Sequence, residues 1–326
     1  MSNMKLKFRK ETAKLVEYLG LDAIATYFDI GKFVDKPFLI QTGMSNLSYE
    51  LNTTKGYYIC KIFPSLDLKQ MQNDAIIHSQ LSVAGIDSPK YMFGPNEEYV
   101  YYNQLFVAVV YNRIGGINIP KIDADYCYSM GRVLALFHGH VSKLAHKKIA
   151  LLNQNWVINK WSLIRSKDMP FVDSLLLAYT KGRTLFEDNL TTGIVHGDFH
   201  EGNILVDEHM HSRIVGVLDF ERSEKNVLIV DLARTALGIC RGVNEDVIDP
   251  LLFKALFLGY NSVRKLNENE VKNMEKALIY AAGIGGLWLI CYGIDPLPLA
   301  TQLLSRAESI IADGGFKEII ERNSTS

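Results

Sequence analysis

From Phe38 to Phe63 the chain reads FLIQTGMSNLSYELNTTKGYYICKIF, three β-rich runs separated by Thr42-Gly43 and by the turn-forming stretch from Asn52 to Gly56. Short runs of this kind broken by turn residues predict a strand meander. The period then changes. Met71, Ala75, Ile76, His78 and Leu81 fall near helical spacing within residues 67–84, ahead of Gly85 and Pro89, and predict a helix. YVYYN and LFVAVVYNRI return to the strand pattern. Beyond Arg113-Ile114-Gly115-Gly116, the segments ADYCYSMGRVLALFHGHV, QNWVINKWSLIRS and VDSLLLAYTKGRTLFEDNL all read as helices. The pattern predicts an α+β chain, with a small β-rich lobe over residues 1–112 and a larger, mostly helical lobe over 113–326.

One apolar segment tests that picture. ALIYAAGIGGLWLICYGI, residues 277–294, carries no charge over a length near the lower limit for a bilayer span. Four glycines interrupt it, charged residues flank it, and no cluster of positive charge marks one end. The centre of a large lobe also requires a helix that is apolar all round, so the expectation is a buried helix and no membrane span.

Composition narrows the function. A chain of 326 residues, 48% hydrophobic and 22% charged, is globular and long enough for two lobes. Its net charge of -1 lacks the basic excess that nucleic-acid binding requires. Cys60, Cys127, Cys240 and Cys291 are far apart, with no CxxC pair, and read as reduced thiols rather than zinc ligands. With no apolar leader in MSNMKLKFRKETAKLVEYLG, the expectation is a cytoplasmic protein whose oligomeric state the sequence leaves open.

Titratable chemistry concentrates in HGDFHEGNILVD, residues 196–207, and in VGVLDFERS, residues 215–223. NILVD and SRIVGVLDF are expected to form a hairpin joined by DEHMH. Asp198 and Asn203 then sit on the loop entering one strand, and Asp219 sits where the partner strand ends. Phosphoryl transfer needs an acceptor for a hydroxyl proton, plus a carboxylate and an amide oxygen to hold Mg²⁺ on nucleotide phosphates. These three residues supply that set. A cation for the phosphates must come from elsewhere. Lys61 is the only charge in YYICKIF, on the face of Ile59 and Phe63, and is costly there unless an anion meets it. Its position behind Gly43 favours phosphate; the other reading is an edge-strand lysine that blunts aggregation.

QTGMSNLSYEL, HGDFHEGNIL and LDFE, in this order, resemble the nucleotide loop, catalytic loop and metal-binding segment of the kinase-like small-molecule phosphotransferases. That group includes aminoglycoside phosphotransferases, choline and ethanolamine kinases, and homoserine kinases. The resemblance runs from about residue 38 to about residue 305. It implies a bilobal protein-kinase-like fold and an ATP- and Mg²⁺-dependent kinase acting on a hydroxyl of a small metabolite. On matching positions it implies that Asp198 accepts or orients the hydroxyl proton, Asn203 and Asp219 bind Mg²⁺, and Lys61 contacts the α and β phosphates. Gly43, Ser45 and Asn46 would line the nucleotide loop, and His196 would brace the catalytic loop. Asp231 in VDLAR would hold that loop's backbone, unless it serves only to cap its helix. Asp74 stands where the family pairs a Glu with the strand lysine, and its shorter side chain reaches less far.

Glu221 after LDF, with EGNIL and the later Gly-Leu-Trp, resembles the choline and ethanolamine branch. Tyr280, Trp288 and Tyr292 are expected on one helical face, either caging an ammonium group by cation–π attraction or packing in the core. The favoured acceptor is therefore an amino alcohol of the choline or ethanolamine type. Homoserine, whose carboxylate Arg234 or Arg241 could meet, and the aminoglycosides are the alternatives. Two readings from other classes stand beside these. A metal-dependent hydrolase using His196, Asp198 and His200 as ligands leaves Lys61 and Asn203 unexplained. A catalytically inactive binding module would typically have lost a proton acceptor or metal ligand that this chain keeps.

Overall fold

The structure, a computed structural model, describes residues 20–40, 47–63, 75–78, 81, 85–103, 106–141, 157, 160–166, 170–220, 222–292 and 297–314. The chain divides into two compact units, Met1–Gly115 and Gly116–Ser326.

In the first unit a helix, α1 (Leu21–Tyr27), precedes a five-stranded antiparallel sheet. Its strands are β1 (Phe38–Ile40), β2 (Leu47–Thr53), β3 (Gly56–Phe63), β4 (Tyr101–Tyr102) and β5 (Val107–Asn112), in the order β1-β2-β3-β5-β4. Alternation decides the faces. Leu47, Tyr49 and Leu51 of β2 and Tyr58, Cys60 and Ile62 of β3 are buried in one core with Ile24 and Phe28. Lys61 takes the opposite face, paired in register with Ser48 on one side and Val109 on the other. The lysine is therefore on a central strand, which removes the edge-strand reading. Its Nζ lies 5.5 Å from the centroid of Phe63, whose own cluster includes Val107 and Val109. Of the helix predicted over residues 67–84, the described residues 75–78 are helical.

The second unit carries α2 (Ala124–Val141), α3 (Trp161–Arg165), α4 (Pro170–Gly182), β6 (Thr192–Val195), β7 (Ile204–Val206), β8 (Ile214–Val217) and β9 (Glu224–Val227). Five helices follow: α5 (Leu228–Ile239), α6 (Pro250–Asn261), α7 (Glu268–Lys272), α8 (Met274–Tyr292) and α9 (Leu297–Asp313). The segment expected as one helix from Val172 to Leu190 instead leaves α-geometry at Gly182 and continues as a 3₁₀ turn, Arg183–Glu187. β7 and β8 form the expected antiparallel hairpin. β6 and β9 pair antiparallel as well, which adds two strands to the predicted set.

α8 packs against α4, α5 and α9. Its glycines have a mechanical reason. A Cβ on Gly283 would lie 2.5 Å from the Tyr179 backbone nitrogen, and one on Gly182 would lie 2.5 Å from that of Tyr280. The α4 and α8 backbones therefore touch, as only glycine at the crossing allows. Among the described residues, α8 is the helix long and apolar enough to cross a membrane, and most of that apolar window is buried inside the unit.

Candidate active site

β6 runs directly into the loop His196-Gly197-Asp198. Gly197 has a φ of 76°, and a Cβ there would lie 2.5 Å from the Arg222 carbonyl, so the turn requires glycine. α5 holds this loop through three side chains. Buried Asp231 accepts hydrogen bonds from the backbone N–H of His196 (2.8 Å) and of Gly197 (3.0 Å). It accepts a third from His138 Nε2 at 3.1 Å. Thr235 donates to the Phe199 carbonyl at 3.1 Å, and Arg234 donates to the Gly197 carbonyl. Asp231 is not a cap, because Val227 occupies that position of α5. Burial alone would raise the Asp231 pKa, but the hydrogen bond and charge of His138 hold it below the ordinary value. His138, Arg234 and Thr235 are loop-holding residues that the sequence reading lacks.

His196 is enclosed by the rings of Phe137, Phe199 and Phe220. Its Nδ1 accepts from the Asp198 N–H at 3.2 Å, so Nε2 carries the hydrogen that is donated to the Leu218 carbonyl at 3.1 Å. Burial lowers its pKa against the pull of Asp231, Asp198 and Asp219. With both ring nitrogens engaged, His196 has no lone pair for a metal. The hydrolase reading loses a ligand, and no group of three or more His, Cys, Asp or Glu among the described residues is placed to hold one.

The same bonds draw the predicted trio together. Asn203 Nδ2 donates to the Asp198 carbonyl at 2.9 Å, and the Asn203 carbonyl accepts from the Leu218 N–H at 2.8 Å. The amide nitrogen is thereby spent inward, and Oδ1 makes no hydrogen bond among the described residues. Asp219, next after Leu218, adopts a φ of 64°, a left-handed conformation uncommon for a non-glycine residue. An amide oxygen and a carboxylate on neighbouring segments are hard donors of the kind Mg²⁺ takes, so these residues fit that ion. Asp198 itself stays partly open, with one carboxylate oxygen 3.6 Å from Arg222 Nε.

Arg222 stacks its guanidinium over the Trp288 ring, 4.1 Å from the centroid. The aromatic face expected to meet a substrate ammonium thus holds the protein's own cation. Tyr280 is buried against Tyr179 and Phe186. Arg241, one of the cations considered for a carboxylate, pairs with Glu201. Gly43, Ser45, Asn46, Asp74 and Glu221 lie outside the described residues, as does the side chain of Tyr292.

β9 adds a group with a pH signature. Burial is the main influence on Glu224, opposed by Arg234 and by a hydrogen bond from Asn226, and its pKa is pushed up to about 8 from 4.5. Between those values the folded protein keeps a proton that the unfolded chain has lost, so this group's contribution to stability is full below pH 4.5 and declines as pH rises towards 8. Glu224→Gln should remove the decline. Its Tm should match the parent near pH 4 and exceed it by roughly ten degrees at pH 8, a gain of about 4 kcal/mol. Thermal scans at the two pH values check this, and equal Tm at pH 8 would contradict it.

The sequence profile of the phosphotransferase enzyme family matches residues 39–266. A homoserine kinase of Methylobacillus glycogenes is 25% identical over 252 residues, which are 74% of this chain and 75% of that protein. Among solved structures, an amicoumacin kinase in complex with AMP-PNP and Ca²⁺ superposes with a TM-score of 0.69 at 16% identity, covering 94% of this chain and 96% of its own. A microcompartment-associated aminopropanol kinase superposes with a TM-score of 0.68 at 16% identity, covering 90% and 98%. The fold is the protein-kinase-like one these enzymes share.

Proposed function

We propose, from the premise that this chain belongs to the phosphotransferase enzyme family and is a small-molecule kinase, that it transfers the γ-phosphate of ATP to the hydroxyl of a small hydroxy amino acid of the homoserine type. The observation that carries the choice of acceptor is Arg222, stacked on Trp288 and 3.6 Å from Asp198. A planar guanidinium beside the proton acceptor suits a carboxylate, which it can bind through two parallel hydrogen bonds. It repels a quaternary ammonium or a polycationic antibiotic. This reading prefers a different acceptor from the choline type, for which a free aromatic face was one support beside Glu221 and EGNIL.

Asp198 takes the proton of the attacking hydroxyl, while Arg222 holds the acceptor's carboxylate and so fixes its hydroxyl near that base. Asn203 and Asp219 would hold Mg²⁺, which when bound neutralises charge on the nucleotide phosphates, and Lys61 would add a positive charge for the α and β phosphates. Catalysis on this reading is positioning and charge neutralisation. ATP consumption by the purified protein with Mg²⁺ should be stimulated by homoserine and not by choline, ethanolamine or an aminoglycoside. Stimulation by choline alone would overturn the assignment. Arg222→Met should raise the homoserine KM by roughly tenfold to a hundredfold, the equivalent of a charged hydrogen bond of about 1.5 to 3 kcal/mol, with the ATP KM unchanged.

A further inference from the structure

A line of buried polar side chains leads away from the catalytic loop, and its members come from α2, α5, α6, the turn after α6, and α7. Asp231 takes His138 Nε2 at 3.1 Å, and His138 Nδ1 lies 2.8 Å from the Tyr260 hydroxyl. That hydroxyl accepts from Arg264 at 3.1 Å, and Arg264 reaches Glu270 at 2.5 Å. Glu270 is pinned in turn, because its second oxygen accepts the Asn267 N–H at 3.0 Å within the capping box of α7. Tyr260, Glu270, His138 and Asp231 are each almost wholly buried.

The chain has one direction. Arginine only donates, so Arg264 makes the Tyr260 oxygen an acceptor and turns its hydrogen towards His138 Nδ1. His138 must then carry its ring hydrogen on Nε2, which is the nitrogen facing Asp231. Among the described residues the hydrogen bonds to Asp231 thus come from three donors, two of them the His196 and Gly197 backbone N–H groups that it holds in place.

We infer that Tyr260, Arg264 and Glu270 are positioning residues for phosphoryl transfer: they hold the His138 ring by its Nδ1, and through Asp231 they fix the loop that presents Asp198. The inference rests on the kinase reading for its effect on turnover, but not for its effect on the loop. Without the Tyr260 hydrogen bond the His138 ring is free to turn away from Asp231, and the loop loses one of the anchors of its holding group.

The test uses the full-length protein and two readouts that need no substrate. Nitrogen-15 shifts of labelled histidine report the hydrogen bond at His138 Nδ1, and hydrogen exchange reports the His196 and Gly197 amides. Tyr260→Phe should move the Nδ1 shift to that of a nitrogen that has lost its donor and speed exchange at these two amides at least tenfold, with the amides of α9 unchanged. Arg264→Met should behave alike, and Arg264→Lys, which still donates, should restore the parent pattern. With homoserine and ATP, kcat should fall at least tenfold in the first two variants with both KM values unchanged. An unaltered Nδ1 shift in Tyr260→Phe, or exchange that rises equally throughout the second unit, would overturn the inference. A parent protein inactive on homoserine would instead remove the acceptor assignment, while the nitrogen-15 and exchange results still decide this one.

Discussion

Asp198→Ala is expected to lower kcat by roughly 10²- to 10⁴-fold, the range by which a positioned general base contributes, while the affinity for ATP stays close to that of the parent. The separation is expected because the loop does not depend on the Asp198 side chain. Its backbone is held by Asp231, Thr235 and Arg234, and by the ring of His196. The carboxylate pairs with Arg222. Truncation therefore removes a proton acceptor and leaves its support standing. Steady-state turnover with direct measurement of nucleotide binding checks this, and a variant within tenfold of the parent kcat would show that another group takes the proton.

Asp231→Asn is expected to cost about 2 to 4 kcal/mol of stability and most of the activity. Every partner of this carboxylate is a donor: two backbone N–H groups and His138 Nε2. An amide of the same shape must aim its own NH₂ at one of them, in a place that is almost dry. A buried donor left facing another donor loses its bond and carries the desolvation penalty as well. For a unit of this size the corresponding fall in Tm is roughly 5 to 15 °C. Thermal unfolding and kcat measured on the same preparation decide it, and an unchanged Tm would mean that the loop has a different anchor.

The two effects were not equally legible in the chain. Asp198, Asn203 and Asp219 could be placed because NILVD and VGVL are short apolar runs that announce a hairpin, and hairpin geometry brings its flanks together. β6 and β9 could not, since TGIV and EKNV are four residues long, and β9 is mostly polar, so neither has a periodicity to detect. His138 left a faint trace. It occupies a position of the apolar stripe Met130, Leu134, Val141 in α2, which marks a polar group expected to find a buried partner without naming it. Arg222 left none, because its stacking partner Trp288 is remote in sequence. The aromatic stripe was only partly legible for a related reason. Helical spacing indicates which side chains share a side, and Tyr280 and Trp288 differ by about 80° in any case, but it does not say what covers them.

The pairing of β6 with β9 also bears on how such a site can change over time. Thr192 opposes Val227 and Val195 opposes Glu224, so the segment from His196 to Ser223 is a ring closed by its own ends. Cross-ties from Leu218 to His196 and Asn203 subdivide the ring and keep the chemistry near the clasp. The turn from Asp207 to Arg213 lies on the far side of those ties, with Met210 exposed. Closure entropy grows only with the logarithm of length, about 0.6 kcal/mol for each doubling, so this turn is free to lengthen, shorten or acquire a new binding segment while the reacting groups keep their places. The protein can therefore vary its periphery by insertion there without reopening the arrangement that carries out the transfer.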